Sequence, residues 1–406
     1  MVRRSDAVRS DGPRKRVVEV LPVTEVEAPN AAPTPPIMTE PDFVPPPGSN
    51  IWAQAEFLQW WYRGGTLPPL VTAGSPVDPI PGALSQPGSR VLYGGGQADA
   101  EWASGGRGRI GGYANGTPFG WEIGGFYTLP QSTNALFTSN SVPILARPFY
   151  DSFLVTPSSL LFGAGGAFQG SVTAITRTTL WGAEGHISVA MDTEAKNSAF
   201  IGYRYLQMTD DLQIAGRYNL DAGGLAFNSG IALLTGATGT ISDRVKTTNE
   251  FNGATFGWKY HNFAGRFSVD LRASIAIGVG SERARFEGAT QTVDADATPR
   301  TAASGLLVQA SNAGVYGRDF MTVVPEAGAR VSFMVAPGVS VFGGYDFLYW
   351  ASVMRAGDQL DQAVDSRQMP ASGNFISGSP GFRPISPLRD TSFWAHGVSL
   401  GVRFEY

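Results

Sequence analysis

A long stretch of strict alternation between apolar and polar residues constrains this chain more than any other feature of its sequence. Between Arg266 and Gly280 every second position is apolar: Phe267, Val269, Leu271, Ala273, Ile275, Ile277 and Val279. Successive side chains of a β-strand point to opposite faces of the sheet, so this stretch predicts a strand with one apolar and one mainly polar face. The last residues of the chain, from Trp394 to Tyr406, repeat the pattern.

Ten segments of this kind follow one another from Asn50 onward. They cover residues 51–62, 106–115, 119–129, 177–191, 198–208, 247–261, 263–280, 321–336, 339–353 and 391–406. Each has at least the roughly 9–11 residues that a tilted strand needs to cross a bilayer. Short connections such as Gly116–Pro118 and Pro337–Gly338 alternate with long ones throughout. Strict alternation of short turns and long loops is typical of bacterial outer-membrane barrels.

We therefore predict an all-β fold, an antiparallel up-and-down transmembrane β-barrel over residues 50–406. Ten strands are expected, with short periplasmic turns and long outer loops. Residues Glu282–Val293 and Ser304–Gln309 either extend two of these strands above the membrane or form an extra strand pair, which would give twelve strands. A soluble β-protein is the competing interpretation, since a half-buried sheet also keeps its charges on one face.

Composition supports the membrane interpretation and excludes other classes. Only 16% of the residues are charged, against about 25% in soluble domains. The absence of Cys excludes disulfide scaffolds and thiolate chemistry. A net charge of −4 argues against nucleic acid as a partner. The sequence contains no apolar run long enough for a transmembrane helix.

Charged residues within the alternating segments fall on the face opposite the apolar one, so we predict that they line the lumen. The predicted lumen-lining set also includes one histidine and consists of Glu56, Glu122, Glu184, His186, Arg204, Lys259, Arg266, Asp270, Arg272, Glu326, Arg330, Asp346, Arg403 and Glu405. Arg107 and Arg109 lie in a segment that alternates too weakly to assign. These groups form either a structural lattice of ion pairs or a polar track for solutes. Ten or twelve strands predict a narrow or occluded lumen.

Candidates for catalysis, metals or cofactors are few. The sequence has three histidines, of which His186 and His396 are expected to point inward and His261 to lie in a short turn. No nucleophile motif or metal-ligand spacing accompanies them. We predict no catalytic residue, no metal and no cofactor. The Arg355–Asp361 stretch beyond segment nine either caps a loop by salt bridges or contacts a ligand at the outer mouth.

The C-terminal residues resemble the signal read by the barrel assembly machinery of the outer membrane. The pattern places a polar residue, a glycine and two aromatic residues at Ser399, Gly401, Phe404 and Tyr406. An edge strand of this kind can pair with a partner before the barrel closes. The assembly machinery is therefore an expected partner, together with outer-membrane lipid and small solutes.

Residues 1–49 differ from the remainder of the chain. They are basic at first and then Pro-rich, a composition that predicts a disordered segment without a core. Val17–Val23 is interrupted by Glu19 and Pro22, so no export signal is visible after Met1. Because an outer-membrane location requires export, we hypothesise that the true start lies upstream, which mass spectrometry of the mature N-terminus would test.

Several motifs in order resemble the Putative beta barrel porin-7 family. They are Trp52–Trp61, Gly202–Leu206, Val323–Glu326, Phe342–Trp350 and Arg355–Asp361, with Ala356 at a position where proline is expected. The resemblance covers residues 50–406 and implies a bacterial outer-membrane barrel. It implies no substrate, catalytic residue or cofactor.

Three functions follow as expectations. The first is a narrow or gated channel for small solutes or ions. The second is a non-conducting barrel that acts as an envelope scaffold or binds partners through its long loops. The third, an outer-membrane enzyme, is the least favoured.

Overall fold

The computed structural model describes residues 51–97, 102–114, 116–140, 142–165, 168–220, 225–228, 231–293 and 298–406. The N-terminal segment 1–49, for which disorder is predicted, lies outside the described residues. In the described part, no helix is long and apolar enough to span a membrane.

Ten antiparallel strands form a closed barrel. They are β1 (Ile51–Tyr62), β2 (Trp102–Tyr113), β3 (Phe119–Thr128), β4 (Phe168–Ala190), β5 (Asn197–Leu220), β6 (Thr238–Ala264), β7 (Phe267–Val293), β8 (Gly314–Ala336), β9 (Val339–Val353) and β10 (Thr391–Glu405). Each strand pairs with its sequence neighbours, and β10 pairs with β1 from Trp52 opposite Glu405 to Tyr62 opposite Ala395. This closure confirms the predicted fold class and the ten-strand count.

Shorter elements decorate the long connections. The strand Gln131–Asn140 pairs with the loop-side half of β4, and Pro299–Ala302 pairs with the end of β7. The other strands are Thr66–Leu67, Val71–Gly74, Arg90–Tyr93, Gly96–Gln97, Ile144–Asp151, Thr156–Gly163, Leu225–Asn228, Ile231–Leu234 and Ala363–Val364, and two 3₁₀ helices cover Gly357–Gln359 and Ser366–Gln368. The additional strands do not enter the closed ring, so the twelve-strand alternative is wrong.

Five barrel strands are much longer than the sequence pattern indicates. Strands β4 to β8 have 23 to 27 residues each, about twice what a bilayer requires. Their extensions shorten two of the predicted long connections to residues 221–237 and 294–313. Glu282–Val293 does extend its strand, but Ser304–Gln309 lies in a loop and not in a strand.

The outward face of β7 shows where the lipid-facing wall ends. Its outward side chains are apolar from Phe267 to Val279 and then change to Ser281, Arg283 and Arg285. The 12 residue steps from 267 to 279 span about 40 Å along the strand, or about 30 Å at a tilt of roughly 40°. This length matches the hydrocarbon core of a bilayer, about 30 Å. The loop-side halves of β4 to β8 therefore project beyond the membrane.

Inward side chains form three successive layers from the short-turn end to the long-loop end. A layer of charged residues comes first. An apolar layer follows, which includes Leu58, Trp60, Leu206, Phe251 and Trp350. At the long-loop end, a second apolar core joins the barrel wall to the folded loops. The lumen is thus filled over most of its length by its own side chains.

Candidate functional site

The charged layer of the lumen is the candidate functional site, because it concentrates buried ionisable groups in the barrel interior. Two clusters of ion pairs make up this layer. The first cluster contains Glu56, Asp346, Arg107 and Arg330. The second contains Glu122, Glu184, Glu326, Arg109, Arg204, Lys259 and Arg272.

Arg107 holds the first cluster together. Its guanidinium donates to both carboxylate oxygens of Glu56 at 2.6 and 2.7 Å and to Asp346 at 2.6 Å. Arg330 donates to the same Glu56 at 3.1 Å. The side chain of Glu56 is 0% exposed, so this carboxylate depends mainly on its two arginines for compensation of its charge, with a weak hydrogen bond from Gln54 at 3.4 Å.

The second cluster is more loosely paired. Glu122 lies 2.5 Å from the Lys259 ammonium and 3.1 Å from Arg272. Arg109 is 3.7 Å from Glu122 and 3.4 Å from Glu184, and its Nε is buried without a hydrogen bond in the described part of the chain. Each of the two glutamates therefore faces three cations, and Arg109 is held by charge alone.

His186, Arg204 and Glu326 complete the second cluster. Arg204 forms an ion pair with Glu326 and lies 3.6 Å from Glu184. The Nε2 of His186 lies 2.8 Å from the Lys259 Nζ, and its ring packs against Phe200 at 4.4 Å between centroids.

A cavity of about 300 Å³ leads from the short-turn end to the second cluster. Its inner end includes Arg109, Glu122, Lys259 and Arg272, and its lip includes residues of the β4–β5 turn. Beyond it, the space beside Trp60 and Arg204 is only about 10 Å³. The cavity therefore ends at the charged layer, below the apolar layer.

Pairs of charges also line the lip of this cavity. Asp270 lies 2.5 Å from the His261 Nδ1, and Arg403 lies 2.9 Å from Glu405. In the turn between β4 and β5, the side chain and backbone of Asn197 donate to Asp192 at 2.8 Å each. The hydrogen bonds from Asn197 hold the pKa of Asp192 below its usual range.

The outer mouth is closed by loops that polar side chains tie to the wall. Asp210 accepts from the Arg355 Nε at 2.9 Å and from the backbone of Ala356 at 3.1 Å. Burial alone would raise the pKa of Asp210, but Arg355 and the hydrogen-bond donors keep it below the usual value. The Arg355–Asp361 stretch therefore anchors a loop, since Asp361 also pairs with Arg383 at 2.7 Å.

A buried ion pair fixes two further loops. Arg147 and Asp243 are 2.6 Å apart and each 1% exposed. The other oxygen of Asp243 accepts from the backbone N–H groups of Leu307 and Val308 at 3.0 and 2.8 Å.

Some sequence-based placements need correction. Arg266 does not line the lumen, because it lies exposed in the turn between β6 and β7. His396 points outward, where its Nδ1 lies 2.6 Å from the Tyr345 hydroxyl and its ring stacks on Trp61 at 5.5 Å. His261 belongs to the end of β6 and not to a turn.

Arg107 and Arg109 were left unassigned by the sequence, although both are central to the charged layer. Glycines at positions 105, 106, 108, 111 and 112 surround them, and these hide the alternation. Their position between two strands with clear patterns, β1 and β3, was the available signal. Within the described residues, no group of three or more His, Asp or Glu side chains has the arrangement of a metal site.

Comparison with solved structures finds bacterial outer-membrane proteins at low similarity. The outer membrane protease OmpT from Escherichia coli has a TM-score of 0.38 and 8% identity, over 88% of this chain and 97% of that chain. The transport unit of the autotransporter AIDA-I from Escherichia coli has a TM-score of 0.24 and 9% identity, over 89% and 92%. A Pseudomonas aeruginosa FadL homologue has a TM-score of 0.22 and 11% identity, over 88% and 90%.

No curated protein sequence matches this chain. The model of one protein family, however, matches residues 52–406, which include all of the barrel except Ile51. The chain belongs to the Putative beta barrel porin-7 family.

Proposed function

We propose that this protein is a gated channel for small solutes in the bacterial outer membrane, closed in the conformation described above. The observation that carries the proposal is the redundancy of the charged layer. Glu122 and Glu184 each face three cations, and Arg109 makes long contacts with both. Ion pairs with several alternative partners can rearrange without leaving a buried charge uncompensated, which is the main cost of breaking such pairs.

The apolar layer supports the same conclusion. The indole N–H groups of Trp60 and Trp350 are buried and make no hydrogen bond in the described part of the chain. A buried donor without a partner costs about 1–3 kcal/mol. Water that enters when this layer opens would accept hydrogen bonds from both groups. These bonds would offset part of the free energy needed to open the layer.

Planar-bilayer recordings of the refolded full chain test the proposal. We expect the wild type to be mostly closed, with brief discrete openings. Trp350→Ala should raise the open probability several-fold, because it removes the largest fully buried side chain of the described chain. Phe347→Ala, on the lipid-facing side of the same strand, is the matched control and should leave gating unchanged.

A non-conducting scaffold is the second candidate, and the loop core favours it. Buried residues of several loops, such as Leu145, Leu307 and Met369, pack on the barrel wall as one core. A barrel whose loops form a fixed outer surface is suited to binding a partner. If wild type and Trp350→Ala both insert as folded barrels and both remain silent, the channel proposal fails and the scaffold is favoured.

We propose no catalytic role, because no nucleophile motif or metal-ligand spacing accompanies the histidines in the sequence. His186 lies against Lys259 and Phe200, His261 against Asp270, and His396 in the lipid-facing aromatic cluster. Outer-membrane location, with the short turns facing the periplasm, follows from the alternation of short turns and long loops. Detection of the protein in the inner-membrane fraction of its host would contradict it.

A further inference from the structure

We propose that the cavity at the short-turn end binds a small organic anion, with an aromatic carboxylate as the class that fits best. The inference deepens the proposed function, since it names the solute class that the same lumen would take. It depends on three features of the cavity: its local charge, one poorly paired arginine and its aromatic walls.

The cluster at the inner end of the cavity contains more positive than negative side chains. Four cations face three carboxylates: Arg109, Arg204, Lys259 and Arg272 against Glu122, Glu184 and Glu326. The neighbouring cluster is balanced, with Arg107 and Arg330 against Glu56 and Asp346. Charges at the lip, including those of Arg403, Glu405 and Asp270, are 24 to 29% exposed, so solvent partly screens them. The buried excess of one positive charge favours binding of one anion, because uncompensated buried charge is unfavourable.

Arg109 is the most loosely paired of the four cations in this cluster. It lies at the inner end of the cavity, yet its shortest ion-pair distance is 3.4 Å, against 2.6 Å for Arg107. Its Nε is buried and, like the Nε atoms of Arg204 and Arg272, makes no hydrogen bond within the described chain. Arginine with free donors recognises planar carboxylates well, since its N–H groups match the two carboxylate oxygens.

Aromatic rings line the path to this arginine. Trp52 and Phe342 face the cavity, with the guanidinium groups of Arg403 and Arg330 at 4.6 and 5.2 Å from their ring centroids. Phe263 lies nearer the lip, beside His261. A volume of about 300 Å³ is at the lower end of ligand pockets and suits a single-ring molecule. Apolar walls with a cationic end match an aromatic ring that carries one carboxylate.

Fluorine NMR of the refolded full chain in detergent micelles tests this inference with three ring probes. The probes are 4-fluorobenzoate, the neutral 4-fluorobenzamide and the cationic 4-fluorobenzylamine. We expect saturable line broadening for the benzoate, at least tenfold weaker binding of the amide, and no saturable binding of the amine. Equal broadening of all three probes, or a preference for the amine, would overturn the inference.

Two substitutions shift the cluster charge in opposite directions. Arg109→Gln brings it to zero and should weaken benzoate binding at least tenfold, whereas Glu326→Gln raises it by one and should strengthen binding several-fold. Arg177→Gln, on the exposed outward face of β4, is the control and should bind as the wild type does. Gel electrophoresis of unheated samples, which separates folded from unfolded barrel, checks that each variant has folded. Unchanged benzoate affinity in a folded Arg109→Gln barrel would refute the site.

Failure of this inference is distinguishable from failure of the channel proposal. Discrete conductance without saturable benzoate binding refutes the anion site and leaves the channel intact. Saturable benzoate binding in a barrel that never conducts supports the anion site and refutes the channel.

Discussion

At the scale of single residues, the two clusters of the charged layer differ in how well each charge is compensated. Arg107 makes three hydrogen bonds of 2.6 to 2.7 Å, whereas no donor of Arg109 comes closer than 3.4 Å to a carboxylate. The first arrangement fixes the barrel wall, and the second leaves a cation free to change partners. Stability and function thus depend on different members of one layer.

Glu56→Gln tests the structural half of this distinction. The substitution leaves Arg107 and Arg330 buried with one carboxylate fewer, which for buried pairs costs about 3–5 kcal/mol. We expect a corresponding loss in the free energy of unfolding, measured by urea titration of the barrel in lipid vesicles. Glu405→Gln is the control, because its pair with Arg403 is about a quarter exposed, and it should cost less than about 1 kcal/mol. Equal losses for the two variants would show that the buried pair has no special role.

Residue placement could be read from the sequence wherever a strand alternates clearly. Glu56, Glu122 and Asp346 follow directly from the parity of their segments. Arg107 and Arg109 do not, because glycines occupy most neighbouring positions and Ile110 alone marks the outward face between residues 105 and 112. Which ion pairs form also lies beyond the sequence, since Arg107 meets Asp346 only through closure of the ring.

At the scale of strands, the apolar side chains of β5 and β7 lie on the outward face within the membrane and on the inward face beyond it. On β7 the outward residues are apolar up to Val279, and beyond it Ala284 and Phe286 are apolar and buried on the inward face. On β5, Ile201 faces outward, whereas Leu212 and Ile214 face inward. Lipid requires an apolar exterior, while the loop core above the membrane requires an apolar interior.

This exchange explains why the sequence predicts the strands but underestimates their length. A single alternating pattern ends at the exchange, so β5 is predicted to end at residue 208 and not at Leu220. The alternating pattern predicts the membrane part of each strand, because the outward side chains of that part all face lipid. The projecting part depends on loops that pack against it from distant positions in the chain, such as Leu145 and Leu307.

Arginine substitutions along β7 locate the boundary of the membrane. Ile275 faces outward near the middle of the apolar stripe, so Ile275→Arg should destabilise the folded barrel in vesicles by about 2–4 kcal/mol. Ser281→Arg, three outward positions further along the same face, should cost at most about 1 kcal/mol because it lies near the interface. The measurement is reversible urea unfolding in vesicles of fixed composition. Similar costs at both sites would mean that the wall is not lipid-facing up to Val279.

At the scale of the whole molecule, the buried pair Arg147–Asp243 ties a loop strand to the projecting wall of the barrel, within the loop-side core. Asp243→Asn removes the carboxylate that compensates Arg147 and weakens the hold on the Leu307 and Val308 backbone. We expect chymotrypsin to cleave after Phe149, which is buried in the loop-side core, at least tenfold faster in this variant, while the strands stay protected, as mass spectrometry of the fragments would show. Asp211→Asn, whose partner Arg244 is exposed, should cleave as the wild type does. Continued protection of the bond after Phe149 in folded Asp243→Asn would mean that the loop core holds without this pair.

Closure of the ring is the last step that the chain must accomplish, and β10 provides it. Its residues pair with β1 on one side and β9 on the other, and the backbone N–H of Tyr406 donates to the Ile51 carbonyl at 2.9 Å. Until β1 arrives, β10 is an open edge with unpaired backbone groups. We propose that an assembly partner pairs with this edge and reads the aromatic side chains of Phe404 and Tyr406, which face lipid in the closed barrel.

Phe404→Ala separates assembly from folding. Because its side chain is on the lipid face and contributes little to the lumen, we expect the variant to refold in detergent to nearly the same yield as the wild type. In bacterial cells, where an assembly partner must recognise the strand, folded barrel in the outer membrane should fall at least fivefold, measured by gel mobility of unheated samples. Val398→Ala, also outward and similarly exposed on β10, should leave both yields unchanged. If the yield of folded barrel falls equally in cells and in detergent, Phe404 stabilises the barrel itself. That result would contradict recognition of the strand end by an assembly partner.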